Sequence, residues 1–143
     1  MIPLLLISHG PLAGAAVASM EMILGVKPDQ VSVILVTEEL SYDDCLQQLQ
    51  QKYEDLYPQT GLVIITDIYG GTPANIASYL ALKHKDVLVF SGLSLPILLE
   101  YVLQKPKSMK EARKIIIGAG KKAVIDISQK LEEATYGDSI NPD

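Results

Sequence analysis

The chain has 143 residues, 48% hydrophobic and 20% charged, with Lys+Arg 12 against Asp+Glu 17 and a formal net charge of −5. At roughly 100–200 residues per domain this length means one domain with a sizeable core. The acidic balance, with no Lys/Arg cluster, argues against a partner tracked through nucleic-acid phosphates.

Four short apolar, β-branched segments recur, at residues 2–7, 31–36, 62–66 and 87–90. They are nearly continuous rather than alternating, as strands covered on both faces are. Between them lie helical signals. Residues 11–24 repeat apolar positions at helical spacing and end at Gly25, a favourable residue just past a helix. Ser41 with Asp43 and Asp44 predicts a capped helix start running to about Tyr57, before Pro58. Thr72-Pro73 predicts a capping hydroxyl followed by proline at the first helical position, opening a helix to about Lys83. Ser94 and Pro96 open another that stops before Pro106, and Ser108 caps one expected over 108–117 and closed by Gly118-Ala119-Gly120. Residues 123–128 are read as a fifth strand, with a helix through Leu131 as the competing reading. The order βαβαβαβα gives an α/β fold, a doubly wound, mainly parallel sheet with helices on both faces. The domain is assigned to residues 1–134 and a flexible polar tail to 135–143.

One cysteine excludes an intrachain disulfide, and Cys45 reads as a small buried apolar residue in a reducing compartment. The longest apolar runs, 1–7 and 93–99, fall far short of the roughly 20 residues a membrane span needs. With no basic stretch before the first run, no signal peptide is expected, and the domain is expected to be soluble and cytoplasmic.

Open parallel sheets bind ligands beyond the carboxyl ends of their strands, where strand order reverses. For the common order 2-1-3-4, that crevice lies between strands 1 and 3. Ser8-His9-Gly10-Pro11 follows the first and Asp67-Ile68-Tyr69-Gly70-Gly71-Thr72-Pro73 the second, so His9 and Asp67 should meet. A carboxylate on Nδ1–H fixes the imidazole tautomer and leaves the Nε2 lone pair facing outward as a nucleophile. Gly10, Gly70 and Gly71 let backbone approach closely, and the helix starts beside them, with the Thr72 hydroxyl, form an anion cradle. A nucleophilic imidazole beside such a cradle points to a phosphoryl group carried on histidine. Each part alone has a plainer reading: a satisfied polar histidine, a turn-forming Asp and a helix start. Their joint placement favours the site. His84, in Lys83-His84-Lys85-Asp86 at the opposite end of the sheet, reads as a solvated loop residue. There is no G-x-x-x-x-G-K-[ST], no G-x-G-x-x-G and no metal-ligand spacing, so no cofactor and no metal are expected.

Ser8-His9-Gly10, residues 67–73 with Asn75 and Ala77-Ser78, and residues 91–100 together resemble the IIA component of the mannose-type (mannose/fructose/sorbose) sugar phosphotransferase system. The resemblance implies a phosphohistidine at His9 oriented by Asp67. It implies a histidine-containing phosphocarrier protein as donor, a IIB component as acceptor and, indirectly, a membrane permease. It also implies a homodimer that exchanges an antiparallel fifth strand. With the chain ending at Asp143, the IIB component is expected on a separate polypeptide. Alternatives are a phosphocarrier feeding a dihydroxyacetone kinase, a receiver-like domain phosphorylated on Asp67, and a small-molecule-binding module without chemistry.

Overall fold

The structure, a computed structural model, describes residues 1–56 and 60–140, with residues 136–140 described by their backbone alone. Strands β1 (Leu4–His9), β2 (Val31–Val36), β3 (Leu62–Thr66) and β4 (Val87–Ser91) form one parallel sheet in the order β2-β1-β3-β4. Helices α1 (Leu12–Leu24), α2 (Tyr42–Leu56), α3 (Gly71–Lys83), α4 (Leu95–Gln104), α5 (Met109–Lys121) and α6 (Ile127–Ile140) complete the described elements. The doubly wound reading therefore holds, with the order reversing between β1 and β3. The register places Ile7 opposite Thr66 and His9 opposite Val36.

Side chains alternate between the two faces of the sheet, which is why continuous apolar strands were needed. Leu4, Leu6, Val63 and Ile65 face a cluster built with Ala13, Met20, Leu98, Tyr101 and Ile116 from α1, α4 and α5. Leu5, Ile7, Leu62 and Ile64 face the other, built with Cys45, Leu49, Ile76 and Leu80 from α2 and α3. The buried Tyr101 hydroxyl donates to the Ile2 carbonyl at 2.9 Å, and Ile2 N–H donates to Pro106 at 2.8 Å. These bonds fix the entry to β1, the strand that delivers His9. Cys45 is buried as expected, and burial, followed by the charge of Asp44, pushes its thiol pKa up.

The capping chemistry holds at three starts. Ser41 Oγ accepts Asp44 N–H at 3.0 Å while Asp44 reaches back to Ser41 N–H at 3.3 Å. Ser94 and Ser108 cap α4 and α5. The expected end of α2, about Tyr57 before Pro58, lies outside the described residues.

Elsewhere the structure corrects the sequence reading. α3 begins one residue before Thr72, with Gly70 as N-cap and no side-chain cap bond. α5 runs through Gly118 and Gly120 to Lys121 rather than closing at them. A helical glycine costs only about 1 kcal/mol, which burial of Ala112 and Ile116 on the same helix outweighs. Residues 123–128 add no fifth strand to this sheet. Residues 124–126 are without regular structure, and Asp126 then starts α6 by accepting Gln129 N–H at 2.9 Å. α6 runs to Ile140, and residues 141–143 lie outside the described ones. His84 is half-buried rather than solvated, its ring stacked on Tyr53 at 4.2 Å.

Leu6 is fully buried in the central strand pair. Leu6→Ala should cost about 2–5 kcal/mol, because the sheet and three helices cannot collapse into the void. Urea unfolding of the two proteins measures this; a difference below about 1 kcal/mol would show that the face repacks.

Candidate functional site

The site forms where the turns after β1 and β3 meet. One carboxylate oxygen, Asp67 Oδ2, accepts the His9 backbone N–H at 2.8 Å and lies 2.8 Å from His9 Nδ1. The other, Oδ1, accepts Ile68 N–H at 2.9 Å. Asp67 is held at its backbone neighbour and at the histidine, so the ring is fixed in position and in tautomer, with hydrogen on Nδ1. The Asp67 side chain is 8% exposed while that of His9 is 49% exposed, so the carboxylate is covered and the outer edge of the imidazole open.

Burial alone would raise the Asp67 pKa. The hydrogen bonds from the His9 backbone, the His9 ring and Ile68 N–H, with the His9 charge, outweigh it and hold the carboxyl below its ordinary 3.8.

Glycines shape the open edge. Gly70 and Gly71 have φ of 98° and 80°, in the left-handed region that side chains disfavour. A Cβ on Gly71 would stand 2.9 Å from both Cε1 and Nε2 of His9. The Nε2 edge therefore faces the first residue of α3, and any larger residue there would push the ring off Asp67 or distort the turn. Gly71 and Thr72 are in the first turn of α3, where backbone N–H groups lack intrahelical acceptors and the helix dipole is positive. Group chemistry at Nε2 would occur beside those donors.

Two sequence-derived roles change. The Gly10 N–H is committed to the Val36 carbonyl at 2.8 Å, so Gly10, with φ 60°, shapes the turn without offering that donor. Thr72 does not cap its helix. It sits one position inside α3, partly buried. The sequence reading also missed Ser8. Its hydroxyl, fully buried, donates to the Gly10 carbonyl at 3.1 Å and accepts Ala13 N–H at 2.8 Å. It thus starts α1 from the end of β1, a cap five residues upstream that no N-cap spacing signals. Thr66 does similar work under the second turn, donating toward the Ile68 carbonyl at 3.2 Å. Among the described residues no group of three or more His, Cys, Asp or Glu is placed to hold a metal ion.

A doubly wound parallel sheet with a carboxylate-held, half-exposed histidine at its switch point defines the class of this α/β domain. Residues 3–117 match the family model described as PTS system fructose IIA component, and the chain belongs to this family of sugar phosphotransferase-system IIA components. The sorbose-specific EIIA component of Klebsiella pneumoniae is 34% identical over 102 residues, 71% of this chain and 73% of that one. The fructose-specific EIIA component of Bacillus subtilis is 31% identical over 104 residues, 70% and 68% of the two chains. The crystal structure of a phosphotransferase system component EIIA from Streptococcus agalactiae superposes with a TM-score of 0.81 at 28% identity, covering 90% of this chain and 99% of that one.

Because the native Asp67 pKa is lowered, the unfolded chain takes up the proton first as pH falls. The stabilisation is therefore complete above the ordinary carboxylate value and lost as pH falls below it through the lowered native one. Asp67→Asn should keep the fold and unfold with a shallower dependence on pH between about pH 5 and 2. Urea midpoints across that range test this, and parallel profiles for the two proteins would refute it.

Proposed function

We propose that this chain is a cytoplasmic phosphocarrier in which His9 Nε2 takes a phosphoryl group from a histidine-containing phosphocarrier protein and passes it to a separate IIB component. That component would phosphorylate a sugar entering through a membrane permease. The observation that carries the reading is the 2.8 Å contact of His9 Nδ1 with Asp67 Oδ2, which leaves Nε2 as the open nitrogen. Membership of the IIA family supports the same role.

The chemistry follows from the geometry. The Nε2 lone pair attacks phosphorus as the bond to the donor's nitrogen breaks, and the donor imidazole leaves with that electron pair. His9 then carries the N–P bond and keeps its proton on Nδ1, so positive charge spreads over the ring. Asp67 stabilises that charge, lowering the barrier in both directions. The Gly71 and Thr72 N–H groups, with the Thr72 hydroxyl, receive the phosphoryl oxygens at the positive end of α3, and Gly70 and Gly10 keep the approach open. Phosphorylation of Asp67 itself is disfavoured, since both its oxygens already accept hydrogen bonds and its side chain is nearly covered.

A homodimer is part of this reading. Residues 123–131 carry Val124, 94% exposed, with Ile125, Ile127 and Leu131 also exposed, and β4 ends the sheet with an open edge. An apolar arm and an unpaired edge in one chain satisfy each other when two copies exchange them, closing the pairing symmetrically.

His9→Ala should abolish labelling from the phosphorylated carrier protein, whereas His84→Ala should label normally. The label should survive alkali and be lost in acid, as an N–P bond does; an alkali-labile label on His9→Ala would move the reaction to a carboxylate. Asp67→Asn should slow transfer on the order of 10–100-fold, the equivalent of one charge-assisted hydrogen bond. For the dimer, Val124→Asp with Ile125→Asp should shift sedimentation toward monomer, and a wild-type monomer at micromolar concentration would sink that part.

A further inference from the structure

Two buried hydroxyls lie directly under the two turns of the site. Cys45, Tyr53 and Tyr101 aside, Ser8 and Thr66 are the only buried residues with a polar side chain among the described ones. They occupy neighbouring strands: Thr66 pairs with Ile7, the residue before Ser8, and on its other side with Ser91. Burying a hydroxyl in an apolar interior is unfavourable unless its hydrogen bonds are made. Ala or Val would occupy these positions without that penalty. Hydroxyls at both therefore point to the bonds they make.

Those bonds have the same form in both turns. Ser8 Oγ donates to the carbonyl two residues on, that of Gly10, at 3.1 Å. Thr66 Oγ1 donates to the carbonyl two residues on, that of Ile68, at 3.2 Å. The residue bridged by the first is His9, and the residue bridged by the second is Asp67. Each hydroxyl thus closes a short ring of chain across one member of the pair, at the point where its strand ends. Both residues also hold a second segment. Ser8 Oγ accepts Ala13 N–H at 2.8 Å, and the Thr66 carbonyl accepts the N–H groups of Gly92 and Leu93 at 3.0 Å.

We infer that Ser8 and Thr66 are positioning residues for transfer at His9: by tying the Gly10 and Ile68 carbonyls they set the backbones of His9 and Asp67 so that Nδ1 meets Oδ2. The inference rests on the phosphocarrier reading of His9. Position matters because only one imidazole tautomer can react. With hydrogen on Nδ1 the Nε2 lone pair is free; with hydrogen on Nε2 it is not. The 2.8 Å contact with Asp67 holds the first form, and such a bond weakens steeply as its distance and angle degrade. Ser8 acts on that contact from the His9 side. Thr66 acts from the Asp67 side, through Ile68, whose N–H donates to Asp67 Oδ1 at 2.9 Å.

The test compares wild type with Ser8→Ala, Thr66→Val and Thr66→Ser. Valine keeps the shape of threonine without the hydroxyl, and serine keeps the hydroxyl without the methyl. Nitrogen NMR of the His9 ring, at a pH where it is neutral, reads the tautomer. Transfer from the phosphorylated carrier protein at several donor concentrations reads kcat and KM separately. Wild type should show hydrogen on Nδ1 alone. Ser8→Ala and Thr66→Val should populate both tautomers and lose kcat on the order of 10-fold, with KM changing less than about two-fold. Thr66→Ser should match wild type in both readouts. A single Nδ1–H tautomer with wild-type kcat in Ser8→Ala or Thr66→Val would overturn the role of that residue, even if urea unfolding shows lower stability. A Thr66→Ser protein that behaves like Thr66→Val would assign the effect to packing and overturn the role of the Thr66 hydroxyl, and a loss confined to KM would overturn the inference outright. If the carrier protein fails to label wild type, the phosphocarrier reading falls, and the tautomer measurement still decides whether the two hydroxyls position the pair.

Discussion

One oxygen atom organises the site. Asp67 Oδ2 accepts both the backbone and the ring of His9, so a single carboxylate fixes where β1 ends and which imidazole nitrogen is free. Those two bonds join residues 58 positions apart, and they require β1 and β3 to be sheet neighbours. The rest of the site depends on them. Gly71 is tolerable only as glycine because the ring stands where it does, and the Nε2 edge meets the start of α3 for the same reason. The low Asp67 pKa follows from the same contacts, because each of them favours the ionised carboxylate.

Around this contact the molecule is stiffened by small polar groups. The Ser8 hydroxyl bridges Gly10 and Ala13, the Gly10 N–H holds Val36, and Thr66 holds Ile68. Each bond is modest, about 1 kcal/mol net, yet together they leave few unpaired groups in the two turns. No buried side-chain polar atom among the described residues lacks a partner. Rigid turns hold the His9 ring with one nitrogen presented outward, so that edge needs little reorganisation to meet a ligand.

The C-terminal region follows another logic. α5 packs onto α4 and the sheet, but the residues after it leave the core and expose apolar side chains. Period-two alternation in 123–128 is a genuine strand signal, yet a strand forms only where an edge is available in register. Within one chain Asp126 instead caps a helix, and the apolar side chains remain without a core to enter.

The sequence alone determined the strands, three of the helix caps, the α/β class and the meeting of His9 with Asp67. These are local matters or follow from them: apolar runs, capping hydroxyls, and the rule that ligand chemistry gathers at strand ends where order reverses. Tertiary structure decided what depends on distances between distant segments. It put the Gly71 backbone against Nε2, committed the Gly10 N–H to β2, and gave Ser8 its latch. It carried α5 through two glycines, with Ala112 and Ile116 of that helix buried in the core. Residues 123–128 were decided the same way, since helix or strand there turns on which surfaces remain to pair, and no local pattern contains that information.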